Sequence, residues 1–589
     1  MRSKWMLRTT KINVNDIAKK LKINPLLVKI MVDRDIKSID EMERFLNPNI
    51  EQLYDPFLMK DMKKGINLIK NAILNKEKIM VYGDYDADGV TSTVILYKAL
   101  KNIGAEVSYY IPDRENEGYG MCVDRIEKIK EEGFNFIITC DNGISALKEV
   151  DRAKELGLTV VITDHHELPF EEDENGEREY KIPNADAIIN PKRLDCEYPF
   201  KKLCGAGIAF KFSQGLYSEM NMDSGQIGEL LELAGIGTIC DVVDLIDENR
   251  VIAKKALEII NNSKNLGIKA LKTALEIKGE VGSYHIGFLM GPCINATGRL
   301  ETAFLSTELL LSTDENKAKE LAETLVNLNK KRQELTNEAV EDITEIVENS
   351  FLKNDKVLVV YKKDIHESIA GIVAGRIKDK YNVPTIVLTS GKKMPKGSGR
   401  SIKEYNMFEE LIKCKELLDN FGGHPMAAGL SIKEENIELF RIKLNEVTNL
   451  TKDDLIPKIR IDNRLPFKDI DFTLIEQLKI LEPFGKGNSS PILAEKNVPI
   501  EKISILGENK NTLKFRCRIQ GTNKYIDGIC FNKVEEFIEQ LKEVYGESYQ
   551  YILENPCGLK MDLIFSPSIN EYKNNVSIQI RINNFKIVS

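Results

Sequence analysis

The stretch KIMVYGDYDADGVTST, residues 78–93, joins an apolar run, three aspartates within five positions and a string of small residues. KIMVYG reads as a buried strand and Val90–Asn102 as a helix, so Asp84, Asp86 and Asp88 fall on the turn between them. Carboxylates this close raise one another's pKa unless positive charge lies among them. Taken alone, the stretch is either a polar strand-to-helix turn or one half of a metal site. The same unit recurs downstream: VSYYIP, then FNFIITCDNG with a helix over Ser145–Leu156, then LTVVITDHHE, then DAIINPK. Continuous apolar strands separated by helices predict an α/β fold with a parallel sheet covered on both faces.

Around this unit, residues 1–75 are polar and predict a helical N-terminal segment. Residues 206–310 are mainly helical in pattern and complete a first domain over 76–312. Asp314–Ser350 contains neither glycine nor proline and predicts a connecting helix over 313–350, whole or with one break. A second α/β unit, opening on KVLVVYK, occupies 351–450. From 455 to 589 the pattern changes. VSIQIRI puts Val576, Ile578, Ile580 and Ile582 on one face, and LKFRCRI alternates likewise. That predicts a small OB-like β-barrel with one helix near 533–544.

A chain of 589 residues exceeds one core and divides into several domains. The net charge of −8 argues against a basic coat for duplex DNA, although a local groove can still be positive. Residues 451–589 carry a net +1 and the remainder −9. No apolar run reaches eighteen residues, so no membrane span is expected. MRSKWMLRTTKINVND lacks the apolar core of a signal peptide. Ten cysteines without a C-x-x-C pair read as reduced thiols of a cytoplasmic protein.

In a parallel sheet the carboxyl ends of the strands share one edge, where ligands bind. The first strand brings Asp84, Asp86 and Asp88 there; CDNG brings Asp141; TDHHE brings Asp164, His165 and His166. Asp241, after the apolar stretch in GIGTICDVVDL, is placed to return to the same crevice. A single Asp-Asn-Gly is an ordinary turn, and two adjacent histidines are commonly accidental. Four such groups at strand ends are not. Oxygen-rich donors with one or two imidazoles suit Mn²⁺ or Mg²⁺ better than zinc. The carboxylates suffice for two ions about 3.5–4 Å apart, an arrangement suited to phosphodiester hydrolysis.

In this order DYDADG, DNG, DHH and CDVVDL resemble the motifs of the DHH phosphoesterase superfamily. With DPFLMKDM upstream and LEPFGKGNSSP downstream, the chain is most similar to the single-strand-specific exonucleases of that superfamily, over essentially its whole length. The resemblance implies metal ligation by Asp86, Asp88, Asp141, His165 and Asp241, with Asp84 and His166 completing or supporting the site. Which ligand bridges the ions stays open. It implies catalytic roles for Asp86, Asp88, Asp141, His165, His166 and Asp241 around two ions, Mn²⁺ or Mg²⁺. The implied activity is 5′→3′ hydrolysis of single-stranded DNA to mononucleotides by a metal-activated water, in DNA repair and recombination. Single-strand-binding protein and a helicase are the implied protein partners.

A strand also has to be held. GKKMPKGSGRSIKEY, 391–405, offers Arg400 for bidentate contact with a phosphate and Ser398 and Ser401 as further donors. Its plain alternative is a flexible basic loop. FGGHPMAAG, 421–429, reads as a tight backbone crossing at Gly422 and Gly423 that presents His424. HESIAGIVAGRI places His366 at a helix start. GSGRS and GGHPMAAG resemble the DHH-associated domain, which faces the metal site across a cleft, and Arg299 in NATGRLETA resembles another substrate contact. His285 has no motif around it and is read as structural. KFRCR, with Lys514, Phe515, Arg516 and Arg518, is either a strand-binding face or an amphipathic strand with Phe515 in the core. Rival readings are a short-oligonucleotide or cyclic-dinucleotide phosphodiesterase, a pyrophosphatase, and a non-catalytic DNA-binding scaffold. The third domain argues against the first two, and the complete ligand set against the last.

Overall fold

The four-residue run IMVY is wholly buried as strand β1, Ile79–Tyr82. It pairs in parallel with β2 (Val107–Tyr110) on one side and β3 (Phe136–Cys140) on the other. Strands β4 (Thr159–Thr163) and β5 (Ala187–Ile189) extend the sheet, giving the order β2-β1-β3-β4-β5 with every pair parallel. On one face Met80, Tyr82, Ile137, Val160 and Ile162 pack against Ile126, Ile129, Val150 and Ala153 of the flanking helices. On the other, helix Met62–Leu74 approaches Val161 and Ile189 at Gly65. Two covered faces leave the strands no solvent side, which explains their unbroken apolar runs.

A computed structural model describes residues 3–114, 117, 118, 120–172, 177–572 and 575–588. The chain forms two units: one is built from 54–243 and 255–457, the other from 4–53, 244–254 and 458–589.

In the first unit β1 leads into helix α1 (Ala87–Asn102), whose first ten residues are all buried. Its small polar residues return their hydroxyls to the helix: Thr91 Oγ1 donates to the Ala87 carbonyl at 2.7 Å and Ser92 Oγ to that of Asp88 at 2.7 Å. They can therefore sit against α2 (Gly205–Glu219) and α3 (Ile227–Cys240) without unpaired polar atoms. Helix α4 (Gly291–Leu300) precedes α5 (Glu315–Glu348), a single unbroken helix of 34 residues. Ala339, Ile343 and Val347 of α5 enter the core of the second α/β body. There β6 (Leu358–Tyr361) and β7 (Thr385–Thr389) are parallel, while β8 (Lys396–Arg400), β9 (Leu418–His424) and β10 (Ala427–Ile432) complete the order β9-β10-β8-β7-β6 with antiparallel pairs.

In the second unit β11 (Leu493–Leu506), β12 (Thr512–Arg518), β13 (Tyr525–Phe531), β14 (Lys560–Tyr572) and β15 (Asn575–Val588) run in the order β11-β12-β13-β15-β14. Pairing of β11 with β14 closes the barrel. Helix Val534–Tyr545 sets Phe537 edge-on against Phe515 and Phe585. Val576 departs from the expected inward face: it is exposed, while Ile580 and Ile582 are buried. The N-terminal residues are not a core of their own. Leu27, Val28, Ile30, Met31 and Phe45 join the barrel's cluster with Phe467 and Phe515. Strand Lys4–Leu7 pairs in parallel with Lys458–Ile461. Arg250 ties this unit together: its guanidinium donates to the carbonyls of Phe45, Ile480, Leu481 and Glu482 and lies 3.7 Å from the Phe45 ring centroid.

Candidate metal centre

The carboxyl edge of the first sheet gathers its acids by local devices. Asp86 caps α1, accepting the N–H groups of Asp88 and Gly89 at 2.9 and 3.0 Å. Asp88, inside the first turn, accepts from the N–H groups of Gly205 at 2.6 Å and Ala206 at 2.8 Å, at the amino end of α2. Asp141 leaves its strand with φ +61°, a left-handed turn that aspartate tolerates. Asn142 fixes that turn by donating to the carbonyls of Tyr82, Gly83 and Cys140. The approach is close: a Cβ on Gly205 would stand 2.6 Å from that of Asp141, and one on Gly237 would stand 2.7 Å from Asp88 Oδ1. On the far side of the loop, the Asn295 amide oxygen accepts the Ala87 N–H at 2.8 Å.

The result brings together all six residues read as metal ligands. Donor atoms of Asp84, Asp86 and Asp141 lie within 4.8 Å of one another, and so do those of Asp88, His165 and Asp241. Asp141 is also grouped with His165, whose Nε2 is 3.0 Å from Asp141 Oδ1. The same Nε2 is 3.8 Å from Asp88 and 3.9 Å from Asp241. Among the described residues Asp84 Oδ1 is buried without a hydrogen-bond partner. Burial and the charge of Asp86 push Asp88 up to about 6 and raise Asp84 well above the carboxylate range. Burial and Asp88 do the same to Asp141. His165 adds no compensating charge, since burial and His166 hold it near 3. Buried anions in this number, beside a neutral imidazole, are what a hard divalent cation requires.

Asp164, the first residue of DHH, plays another part. Its Oδ1 accepts the N–H groups of His165 and His166 and contacts His166 Nδ1 at 2.7 Å; its Oδ2 accepts the Ile144 N–H. Burial alone would raise its pKa, but His166 and these donors hold it at about 2. Burial in turn lowers His166, yet Asp164 outweighs it and lifts the imidazole to about 9. His166 is oriented by Asp164, and its ring nitrogen also groups within 4.8 Å of donor atoms of Asp141 and His165, a third set that could hold a cation.

The second sheet supplies the opposite wall. His424 feels Glu167, His166 and Lys192. Gly423, with φ +149° and the Ala427 carbonyl 2.4 Å from where its Cβ would be, permits the tight β9–β10 hairpin that presents His424; Gly422 lies open to solvent. Arg400 lies over Gly371, where a Cβ would meet Nη2 at 2.6 Å. Arg299, at the end of α4, donates to the Ser368 carbonyl at 2.5 Å. Burial, then Arg114, lower both guanidinium pKa values, Arg299 to about 10. Among the described residues neither Arg299 nor Arg400 makes an ion pair with a carboxylate, although the charge of Asp86 acts on Arg299. Arg114, over the Tyr85 ring at 5.1 Å, went unrecognised in the sequence because DRENEGYG matches no phosphate motif.

GSGRS is not a flexible loop. It is the middle strand β8, whose backbone is used by both neighbours. Its glycines make room for Leu388, Leu430 and Met407 rather than for a phosphate. Ser398 is half-buried on that strand, and Ser401 donates to the Tyr405 carbonyl at 2.6 Å, a structural bond. His366 caps the turn before helix Ala370–Tyr381, and His285 accepts the Gly282 N–H at 3.0 Å. In the barrel Phe515 is core, and Lys514, Arg516 and Arg518 lie outside beside Asp527 and Glu501.

Comparison with known proteins identifies the family. Residues 78–238 match the N-terminal domain of the DHH family, 354–449 the DHHA1 domain and 461–584 the RecJ OB domain. The single-stranded-DNA-specific exonuclease RecJ of Bacillus subtilis is 39% identical over 97% of this chain and 69% of its own. That of Haemophilus influenzae is 33% identical over 95% of this chain and 96% of its own. The crystal structure of Thermus thermophilus RecJ in complex with Mn²⁺ superposes with a TM-score of 0.81 over 99% of this chain and 79% of that one, at 24% identity. A crystal structure of exonuclease RecJ bound to manganese, 30% identical, gives 0.57 over 67% of this chain and 96% of that one.

Proposed function

Since the chain belongs to the RecJ family of single-stranded-DNA-specific exonucleases, we propose that it removes nucleotides from the 5′ end of single-stranded DNA at the carboxyl edge of the first sheet. The observation that carries this reading is the clustering of six ligand residues beside three arginines, Arg114, Arg299 and Arg400, close enough to feel one another's charge. Asp84, Asp86 and Asp141 would hold one divalent cation and Asp88, His165 and Asp241 a second, with Asp141 in reach of both. Manganese and magnesium both suit this donor set. Bound there, such ions supply Lewis-acid stabilisation of a phosphoryl centre and lower the pKa of water.

The chain's own residues do the rest. Arg299, Arg400 and Arg114 bind the 5′-terminal phosphate and so place the first internucleotide phosphate at the acidic cluster. Asn295 and the amino end of α2 keep the aspartates in place before substrate arrives. With Nδ1 engaged by Asp164, His166 is oriented to give its proton from Nε2 to the departing oxygen. His424 faces it from the other wall. The barrel's outer face, where Arg516 and Arg581 lie 5.9 and 5.7 Å from the rings of Tyr525 and Phe531, holds further nucleotides by stacking and phosphate contact. Ten unpaired cysteines fit work in the reducing cytoplasm, in DNA repair and recombination beside single-strand-binding protein and a helicase. The test uses strands labelled at either end with Mn²⁺ present. Labelled mononucleotide should appear first from the 5′ label, and equal release from both ends would refute the polarity.

A further inference from the structure

Helix Ser283–His285, the π-helical segment Ile286–Met290 and α4 follow one another without a break. Pro292 accounts for the widened middle. It has no N–H to return to the Phe288 carbonyl and its ring crowds that carbonyl, so the helix accommodates it with a π-bulge. The bulge packs beside the metal centre. A Cβ on Gly291 would stand 2.4 Å from Cys240 Sγ, and one on Gly287 would stand 3.6 Å from Ile239 Cγ2. Cys240 directly precedes Asp241, and Ile239 lies one residue earlier. Between the two glycines Phe288 points outward, 68% exposed, and stacks on Tyr284, 60% exposed, with ring centroids 5.2 Å apart and planes 26° from parallel. Two large rings kept in water, side by side, leave a π-face open for another ring.

The order along this helix matters. Arg299 lies at its carboxyl end among the arginines, Asn295 holds the aspartate loop, Gly291 touches the residue before Asp241, and the aromatic pair comes last. We infer that Tyr284 and Phe288 form a stacking platform for the bases immediately 3′ of the scissile phosphate. This rests on the exonuclease reading above. A strand with its terminal phosphate at the arginines and its scissile phosphate at the acids continues past Asp241, toward this pair. Phe288 and Tyr284 are three and seven residues from Gly291, at most about 5 and 10 Å along the axis. At about 3.4 Å per stacked nucleotide that corresponds to roughly one to three bases. Stacking on aromatic faces tolerates any base, as an enzyme that degrades without regard to sequence requires.

The platform is tested with 5′-phosphorylated twelve-nucleotide strands carrying 2-aminopurine at the third or the eighth position, bound to the full chain in chelator. Fluorescence at the third position should fall several-fold more than at the eighth in the wild type, and this difference should vanish in the double variant Tyr284→Leu, Phe288→Leu. With Mn²⁺, the double variant should raise KM for the twelve-mer about tenfold more than KM for a dinucleotide, and Phe288→Trp should keep the wild-type ratio. Leucine keeps apolar bulk, so retained circular dichroism and melting temperature identify a folded variant. Quenching that persists in the double variant, or KM values that rise in equal proportion for both substrates, would overturn the platform. A wild type that releases nothing from 5′ ends would overturn the exonuclease reading and this inference together.

Discussion

The acidic edge of the first sheet and the outer face of the C-terminal barrel both carry charge, but they handle it differently. At the sheet edge, like charges are buried together, and their protonation equilibria shift because burial disfavours the charged forms and the carboxylates repel one another. On the barrel, opposite charges interleave: Lys514 lies 2.8 Å from Asp527, and Arg518 3.6 Å from Glu501. Exposed pairs of this kind contribute about 0–1 kcal/mol and are screened by salt. The first region is electrostatically unfinished and requires a specific ion. The second is nearly complete and can offer a passing strand only weak, replaceable contacts.

The comparison breaks most visibly at Asp141. Asp141→Asn should lower the hydrolysis rate by at least about 10²–10³-fold, the scale of losing one preorganised electrostatic contact. The same change should raise the melting temperature of the metal-free protein at pH 7, because it removes a buried charge that its surroundings disfavour. Loss of both activity and stability would mean that Asp141 serves the core. A second prediction follows from the raised carboxyl pKa values. Such groups stabilise the metal-free fold while protonated, and that contribution fades as pH rises from the unfolded value near 4 through the folded value, about 6 for Asp88. Melting of the metal-free chain should therefore drop between pH 5 and 7, and Mn²⁺ should raise it more at pH 7 than at pH 5. An equal metal effect at both pH values would contradict the shared origin.

Arg400 lies between the two extremes. Arg400→Ala should cost about 2–3 kcal/mol of the preference for a 5′-phosphate over a 5′-hydroxyl strand, the worth of a charge-assisted contact. Competition kinetics with both strands reads this directly, and an unchanged preference would reassign the arginine. The smallest effect belongs to the barrel. Arg516→Ala with Tyr525→Ala should weaken binding of long strands by about 1–3 kcal/mol per stacked base lost and flatten the salt dependence. Filter binding at several salt concentrations checks it; unaltered binding would leave that face for a protein partner.

The sheet and its acids were legible because parallel strands bury both faces and end on one edge: IMVY, FIITC and VVIT announce the topology, and the topology delivers Asp84, Asp141 and His165 together. The long helix was legible from its lack of glycine and proline. What escaped depended on contacts distant in sequence. Residues 4–53 looked like a polar helical prelude, yet LLVKIM is buried in the barrel's core by partners more than 400 positions away. GSGRS looked like a phosphate loop because glycine and charge signal loops, whereas here glycine makes room for neighbouring side chains within a sheet. Nothing local distinguishes those uses. Arg114 and Asn295 were missed for the same reason, each acting through a neighbour from another part of the chain.

In the proposed arrangement two cations share Asp141 at the sheet edge. Titration of Mn²⁺ into the metal-free chain, followed by the paramagnetic signal of the unbound ion, tests it directly in the wild type and in Asp84→Asn, Asp241→Asn and Asp141→Asn. The account predicts two bound equivalents in the wild type, one tight site lost in each of the first two variants, and both weakened in the third. A single equivalent in the wild type, or an Asp141→Asn protein that still binds two ions tightly, would contradict it.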